Sequence, residues 1–430
     1  MYKKIYKKAL KIIPNGTMLF SKKPEIYLPG GWPTYYKKTK GIFLWDLNNK
    51  KLKDLYFGVG QNILGYCNPK IDNEVIKACK NGNMSSLNCL EEVHLAEKLI
   101  ELHPWADMVK FARSGGEINS IAIRIARAAS GNDKVAICGY HGWHDWYLAA
   151  NLKNNQNLNK HILKGLNPHG VSKSLKNTIY PFTYNNFDQL KGLVSKHKIG
   201  TIMMEVKRDK DPENNFLQKV RKLCDQKKII LIFDECTSGF RQCLGGLHKF
   251  YKVNPDMAVF GKALGNGYAI TSLIGKKDIM RESQKSFISS TFWTERIGYA
   301  AGLKTLSEMK RTESWKVITK NGIYIKKLWY EIAQNNNLKI DIGGLDALPI
   351  FNFKKKNLEY KTLIIQEMLK KNYLVSNVIF LSTLHSKSII DEYIINLNKV
   401  FRIIKRCEEG EKLGKYLKHK VCFSPFDRLN

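Results

Sequence analysis

Lys262 follows the β-type run Met257-Ala258-Val259-Phe260-Gly261 and precedes a glycine-rich turn, Gly265-Asn266-Gly267. A strand that ends in a lysine and then turns holds the amine on a rigid mount at one end of a sheet. By itself the lysine is a weak signal, because 59 of the 71 basic residues are lysine. Its weight comes from what lies 28 positions upstream, where the apolar run Ile229-Ile230-Leu231-Ile232-Phe233 ends in Asp234-Glu235. An acid at the tip of one buried strand and an amine at the tip of the next suggest a cofactor held between them. A third group precedes both. Ser114-Gly115-Gly116 sits between the strand Met108–Ala112 and the start of a helix. Uncommitted N–H groups and the helix dipole make such a turn an anion site, and glycine lets a phosphate approach the backbone. A simple N-cap with a tight turn explains the same residues.

Asp234 and Lys262 together fit pyridoxal phosphate. That cofactor needs a lysine to form an imine with its aldehyde. It also needs a carboxylate to keep the ring nitrogen protonated, so that the ring can accept electrons. A phosphate turn is the third requirement and an aromatic stacked on the ring a common fourth, for which Tyr140 is available. Tyr140 is also explained as a core residue, and His141 reads as a structural hydrogen-bonding group rather than a base.

The elements around these residues alternate. Strands at 108–112, 134–138, 201–205, 229–234 and 257–260 are separated by helical stretches, including one with Ile118, Ile121, Ala122, Ile125 and Ala129 on one face. This β-α-β rhythm predicts an α/β fold with a mostly parallel sheet sandwiched by helices. The ligand site of such a sheet lies at the carboxyl ends of its strands. Arg113, Tyr140, Glu205, Asp234 and Lys262 all fall at or just after strand ends. Before this region, residues 1–65 read as an amphipathic helix, an irregular Pro/Gly-rich segment and a hairpin at 41–57, forming part of a smaller domain. Residues 66–311 form the large domain. Residues 312–408 form a C-terminal α+β domain, with helices at 314–335, 358–371 and 387–408 and strands at 338–342, 348–353 and 373–381. The tail, 409–430, carries no assignment. The polar stretch 151–186 is a long loop of the kind that serves function, such as a lid.

Composition removes several classes of function. A hydrophobic content of 43% with 11% aromatics belongs to a globular protein. No apolar run has the length of a membrane span. The N-terminus lacks a secretory apolar region and a transit-peptide composition, which with nine singly placed cysteines predicts a cytoplasmic protein with reduced thiols. No metal site is indicated. The net charge of +33 comes from lysine spread evenly along the chain, so no nucleic-acid surface is expected, and the charge suits an anionic substrate better.

Longer motifs carry a resemblance. Asp234-Glu-Cys-Thr-Ser-Gly-Phe-Arg241, Pro255-Asp256 and Gly261-Lys262-Ala-Leu-Gly-Asn-Gly267 are similar to the signature of the class III aminotransferases. Trp45-Asp46, Ile63-Leu-Gly-Tyr66 and Asn68-Pro69 resemble the family's N-terminal landmarks, so the likeness covers nearly the whole chain. Within the family, the branch of glutamate-1-semialdehyde aminomutase is the most similar. The resemblance implies a fold type I pyridoxal-phosphate enzyme, acting as a homodimer with a shared active site. Lys262 would carry the imine and move the proton between substrate Cα and the cofactor. Asp234 would pair with the ring nitrogen, Ser114, Gly115 and Gly116 would hold the phosphate, and Tyr140 would stack on the ring. Glu205 would lie near the phenolic side. Thr291, in Ser289-Ser290-Thr291-Phe292, would reach the partner's cofactor phosphate.

Departures from the family pattern bear on the substrate. Val206 stands where proline usually follows the glutamate, and the alternating charges of Lys207-Arg208-Asp209-Lys210-Asp211 come next. Lys22, beside Lys23, stands where the aminomutase has an arginine for the substrate carboxylate, and lysine lacks the bidentate fork. Trp293-Thr294-Glu295-Arg296 replaces a Ser-Gly-Asn-Pro type segment. These changes favour transfer from a small-molecule amino-acid donor to a separate aldehyde or keto acceptor, with carbohydrate-derived carbonyls among the candidates. Intramolecular amino transfer of the aminomutase type is the alternative.

Overall fold

The computed structural model describes residues 2–154, 156–159 and 166–423. The chain divides into two compact units: the chain up to Asn68 together with that from Lys316 onward, and Pro69–Trp315.

The Pro69–Trp315 unit is built on a seven-stranded sheet. Its spatial order is Met108–Ala112, Thr271–Gly275, Met257–Phe260, Ile230–Asp234, Ile199–Glu205, Lys134–Cys138 and Ile179–Pro181. Six strands run parallel, and Thr271–Gly275 is antiparallel to both of its neighbours. Ile199–Glu205, Ile230–Asp234 and Met257–Phe260 are buried at every residue, as strands covered on both faces must be. The helix Gly115–Ser130 covers one face with Ile118, Ile121, Ala122 and Ile125. It starts at Ser114 with a capping box completed by Glu117 and stops at Gly131, whose left-handed backbone serves as the C-cap.

The sheet brings the carboxyl ends of its parallel strands to one edge. Register places Glu205 beside Asp234, and Asp234 beside Val259, three residues before Lys262. Sequence reasoning missed the strand Thr271–Gly275, whose Thr-Ser start and Gly end hide a short apolar pair. It also missed Ile179–Pro181, which lies inside the stretch read as a loop. Pro181 is tolerated there because this strand is at the edge. Elsewhere in 151–186, Asn151, Leu158 and Val171 are buried, the latter two in the same core as Trp146 and Tyr147. Residues 155 and 160–165 lie outside those described, and the lid expectation rests partly on them.

The other unit carries a four-stranded sheet, Tyr36–Lys40, Phe43–Asp46, Lys51–Asp54 and Tyr373–Leu374, and the hairpin Ile340–Leu345 with Leu348–Phe353. Trp329, Phe351, Tyr393 and Phe401 pack in its core. The strand expected over 373–381 is shorter than its apolar pattern suggests. Beyond Leu374 the chain stays extended but bonds to several neighbours in turn: Asn377 O accepts from Phe351 N, Ile379 N donates to Pro349 O and Phe380 N to Leu55 O. Among the described residues no helix is long and apolar enough to cross a membrane.

Candidate active site

Asp234 ends its strand with 3% of its surface exposed. Its Oδ2 accepts from His141 Nδ1 at 2.9 Å and Asn119 Nδ2 at 2.8 Å, and its Oδ1 from the Cys236 amide at 3.0 Å. Burial pushes its proton affinity up. The bond and charge of His141, the Cys236 amide and Lys262 outweigh this and hold the carboxyl below the usual range. Asp234 is therefore a buried carboxylate, at the end of its strand, biased toward its charged form.

Lys262 begins the turn after Met257–Phe260 with a left-handed backbone, φ 41°. A lysine in that conformation is strained, which fits a position set by the site rather than by local preference. Its Nζ donates to Thr237 Oγ1 at 3.1 Å. Burial lowers its affinity for a proton, and the guanidiniums of Arg208 and Arg241 lower it further, against the opposing pull of Cys236 and Asp234. The amine is thus biased toward the neutral, nucleophilic form.

Glu205, beside Asp234 in register, does not stand alone. Arg208 Nε donates to Glu205 Oε1 at 2.8 Å and Oε2 at 3.0 Å, its Nη2 also bonds Oε1, and Nη2 reaches Thr237 Oγ1 at 3.0 Å. The alternating charge run therefore turns inward at its start, where Lys207 and Arg208 are buried, and Asp211 remains exposed. In sequence the run is indistinguishable from a solvated one.

Ser114, Gly115 and Gly116 form the helix start. Ser114 Oγ is committed to the capping box, bonding Glu117 Oε2 at 3.0 Å. Among the described residues nothing bonds the amides of Gly115 and Gly116. A Cβ on Gly116 would lie 2.9 Å from the His144 ring, so only glycine leaves the turn open. Arg113 supports the turn from behind, donating to the carbonyls of Trp293 at 2.8 Å and Glu295 at 2.7 Å. Trp293 Nε1 in turn donates to Glu117 Oε1 at 3.3 Å, and Glu295 caps the helix Arg296–Thr312. Trp293 and Glu295 thus brace the glycine turn.

Tyr140 lies beside the site, half-buried, its amide donating to Glu205 Oε2 at 3.4 Å and its ring edge-on to Tyr147. Thr291 is exposed. Lys22 is exposed at the end of a turn, Phe20–Lys22, in the unit that carries the chain up to Asn68.

Four contributors were given no role beside Asp234 and Lys262 by sequence: Asn119, Thr237, Arg208 and Cys236, of which Arg208 was named only in the charge run and Thr237 and Cys236 only within the longer motif. Asn119 alone left a readable signal, as a polar residue on an otherwise apolar helix face.

The donor set fits pyridoxal phosphate: a charged buried carboxylate, an amine biased toward neutrality and two uncommitted amides at a glycine turn gather at one sheet edge. The model of the family described as "Aminotransferase class-III" matches residues 29–381. The chain is 32% identical to the 3-aminobutyryl-CoA aminotransferase of Cloacimonas acidaminovorans, over 82% of this chain and 83% of that protein. It is 30% identical to the glutamate-1-semialdehyde 2,1-aminomutase of Wigglesworthia glossinidia brevipalpis, over 94% of this chain and 98% of that one. Among solved structures, the FumI protein of Sphingopyxis sp. MTA144, in its PLP internal aldimine form, superposes with a TM-score of 0.85. It is 20% identical and covers 96% of this chain and 99% of that one, a likeness of fold.

Proposed function

The chain belongs to the class-III aminotransferases, pyridoxal-phosphate enzymes of fold type I, and from that membership we propose that it moves an amino group from an amino-acid donor to a separate aldehyde or ketone. The observation that carries this reading is the convergence of Lys262, Asp234 and the Gly115-Gly116 amides on one edge of one sheet. Bound there, pyridoxal phosphate supplies an aldehyde that takes up amines covalently and a ring that accepts electron density. Asp234, held toward its charged form, would pair with the ring nitrogen and keep its proton in place. The amides of Gly115 and Gly116 would hold the phosphate, with Ser114 fixing the turn through its cap. Lys262 would anchor the cofactor and would take the proton from the substrate Cα as a neutral amine. Tyr140 would cover the ring, and Glu205 would lie toward its phenolic side.

A homodimer with a shared site belongs to the same proposal. Thr291 is exposed amid exposed apolar side chains, Phe287 at 85% and Phe292 at 70%, with Leu87 at 83% on the same unit. A second copy of the chain would cover them and receive Thr291 beside its phosphate. Nine free cysteines support a cytoplasmic location.

A screen of donors and carbonyl acceptors on purified protein tests the function, following the two absorbance bands of the cofactor. The expected result is conversion between bands by an amino-acid donor with release of a keto acid, then reversal by an acceptor. The screen includes β-amino acyl compounds because of the 3-aminobutyryl-CoA relative. Failure of every donor would overturn the reading. The aminomutase alternative is supported by the likeness along 94% of the chain to a glutamate-1-semialdehyde 2,1-aminomutase. Production of 5-aminolevulinate from glutamate-1-semialdehyde, without a second substrate, would favour it.

A further inference from the structure

Thr237 Oγ1 is shared by two nitrogen donors. Arg208 Nη2 donates to it at 3.0 Å and Lys262 Nζ at 3.1 Å. A hydroxyl oxygen has two acceptor positions, and these two donors fill both. Thr237 and Arg208 are 7% and 8% exposed, so water does not compete freely for either bond. Arg208 is itself held by the two-oxygen fork of Glu205, at the end of the neighbouring strand. The result is a continuous line, Glu205 to Arg208 to Thr237 to Lys262, which joins the ends of three strands of the sheet.

We propose that Arg208 is a positioning residue for Lys262, acting through the Thr237 hydroxyl, with Glu205 as the counter-ion that holds the guanidinium in place. This rests on the reading of Lys262 as the cofactor's anchor. Two physical consequences follow. The guanidinium fork is rigid and always charged, so it fixes the Thr237 oxygen in one orientation and leaves Lys262 Nζ one acceptor at a defined point. The strained left-handed backbone at Lys262 sets the root of the side chain, and Thr237 sets its tip. The second consequence is electrostatic. The charged or ionisable groups around Lys262 are Asp234, Cys236, Arg208 and Arg241. Arg208 is tied to the lysine by a shared hydroxyl, and it opposes protonation of the amine. The Arg208 Nη2 that closes the Glu205 fork is the same nitrogen that donates to Thr237, so the ion pair fixes the direction of that second bond.

The test reads covalent cofactor uptake rather than turnover. Cofactor-free protein is mixed with pyridoxal phosphate, and the rise of the lysine-bound absorbance is followed at several pH values. Thr237→Val keeps the Glu205–Arg208 pair intact and is expected to slow uptake about tenfold, the effect of one lost charge-assisted hydrogen bond. Thr237→Ser should restore the native rate. Arg208→Gln should slow uptake at least as much, and the double variant should be no slower than Arg208→Gln alone, because both remove the same link. Arg208→Gln should also move the pH midpoint of uptake upward by about one unit, with Arg208→Lys in between. Native uptake by Thr237→Val would overturn the proposal. So would multiplying effects in the double variant, or an unmoved midpoint in Arg208→Gln. Lys262→Ala separates this outcome from failure of the anchor itself. If that variant keeps the lysine-bound absorbance, the anchor has been assigned to the wrong residue.

Discussion

His141 Nδ1 lies 2.9 Å from Asp234 Oδ2, with both side chains closed off from solvent. Since Asp234 is held in its charged form, Nδ1 must carry the hydrogen of this bond. Among the described residues the carboxylate has two other donors, Asn119 and the Cys236 amide. Removing the histidine leaves a buried charge under-satisfied, which costs about 2 kcal/mol. His141→Ala is therefore expected to lower the denaturation midpoint, and to weaken cofactor binding by raising the proton affinity of Asp234. His141→Asn, which can still donate, should recover part of both. Titration of the cofactor by absorbance, alongside urea unfolding, checks this; an unchanged affinity in His141→Ala would mean that the histidine only fills space.

The loop carrying Tyr140 and His141 is pressed against the Gly115-Gly116 turn. Gly142 has φ 107°, and a Cβ there would stand 2.9 Å from the Gly116 Cα. Backbone cannot yield as a flexible side chain can, so Gly142→Ala should displace one loop from the other. The expected cost is about 2 kcal/mol of stability together with a clear loss of cofactor affinity. Gly131→Ala is the control. It has φ 61° but open space around it, so it should show the strain of about 1 kcal/mol and keep native affinity. Equal affinities in the two variants would contradict the close approach.

These two cases show what was legible in the sequence. Lys262, Asp234 and the Ser114-Gly115-Gly116 turn could be read because each stands where an apolar strand gives way to a turn, and strand pattern is a local property. The sheet edge that collects them follows from β-α-β alternation. Arg208 could not be read. Its burial depends on the chain turning back after Glu205, and Lys207-Arg208-Asp209-Lys210-Asp211 has the composition of a solvated loop. Thr237 was hidden for a different reason: its role lies in joining two side chains 29 and 25 residues away, which no local spacing reports. Trp293 to Arg296 stood out as a departure from the family pattern. Trp293 and Glu295 receive Arg113, and Arg296 forms its own fork with Glu91.

Two buried histidines make stability depend on acid. His103 Nδ1 donates to Leu99 O at 2.8 Å while its Nε2 accepts from the Gly246 amide at 3.1 Å. In the other unit, His385 Nδ1 accepts from the Ser382 amide at 3.0 Å and Nε2 donates to Asp54 O. Each ring is thus neutral, with one nitrogen bound to an amide that protonation would repel. Burial lowers both to about 4 from an ordinary 6.5. The folded state therefore binds fewer protons than the unfolded chain between these values. The stability is fully present above pH 6.5 and lost as pH falls toward 4, by about 2 kcal/mol for each histidine at pH 5. Urea midpoints at pH 7 and pH 5 should show this drop, and His103→Gln or His385→Gln should flatten it. A native pH dependence in both variants would locate the acid lability elsewhere.

The proposed shared site can be tested by mixing chains. If Lys262 serves its own subunit's cofactor and Thr291 serves the partner's, each site needs one residue from each chain. Lys262→Ala removes the amine, and Thr291→Asp sets a negative charge beside the phosphate. Each variant should be inactive alone. In a hybrid dimer the two faults fall together in one site, and the other site is wholly native. Unfolding and refolding an equal mixture should form hybrids as half of the dimers, each with one working site. Activity should then return to roughly one quarter of the native level by the symmetry of a two-fold dimer. If Thr291 served its own subunit, both sites of every hybrid would carry one fault, and the mixture would stay as inactive as its parents. Recovery therefore depends on Thr291 crossing the interface, a role consistent with its exposure beside Phe292.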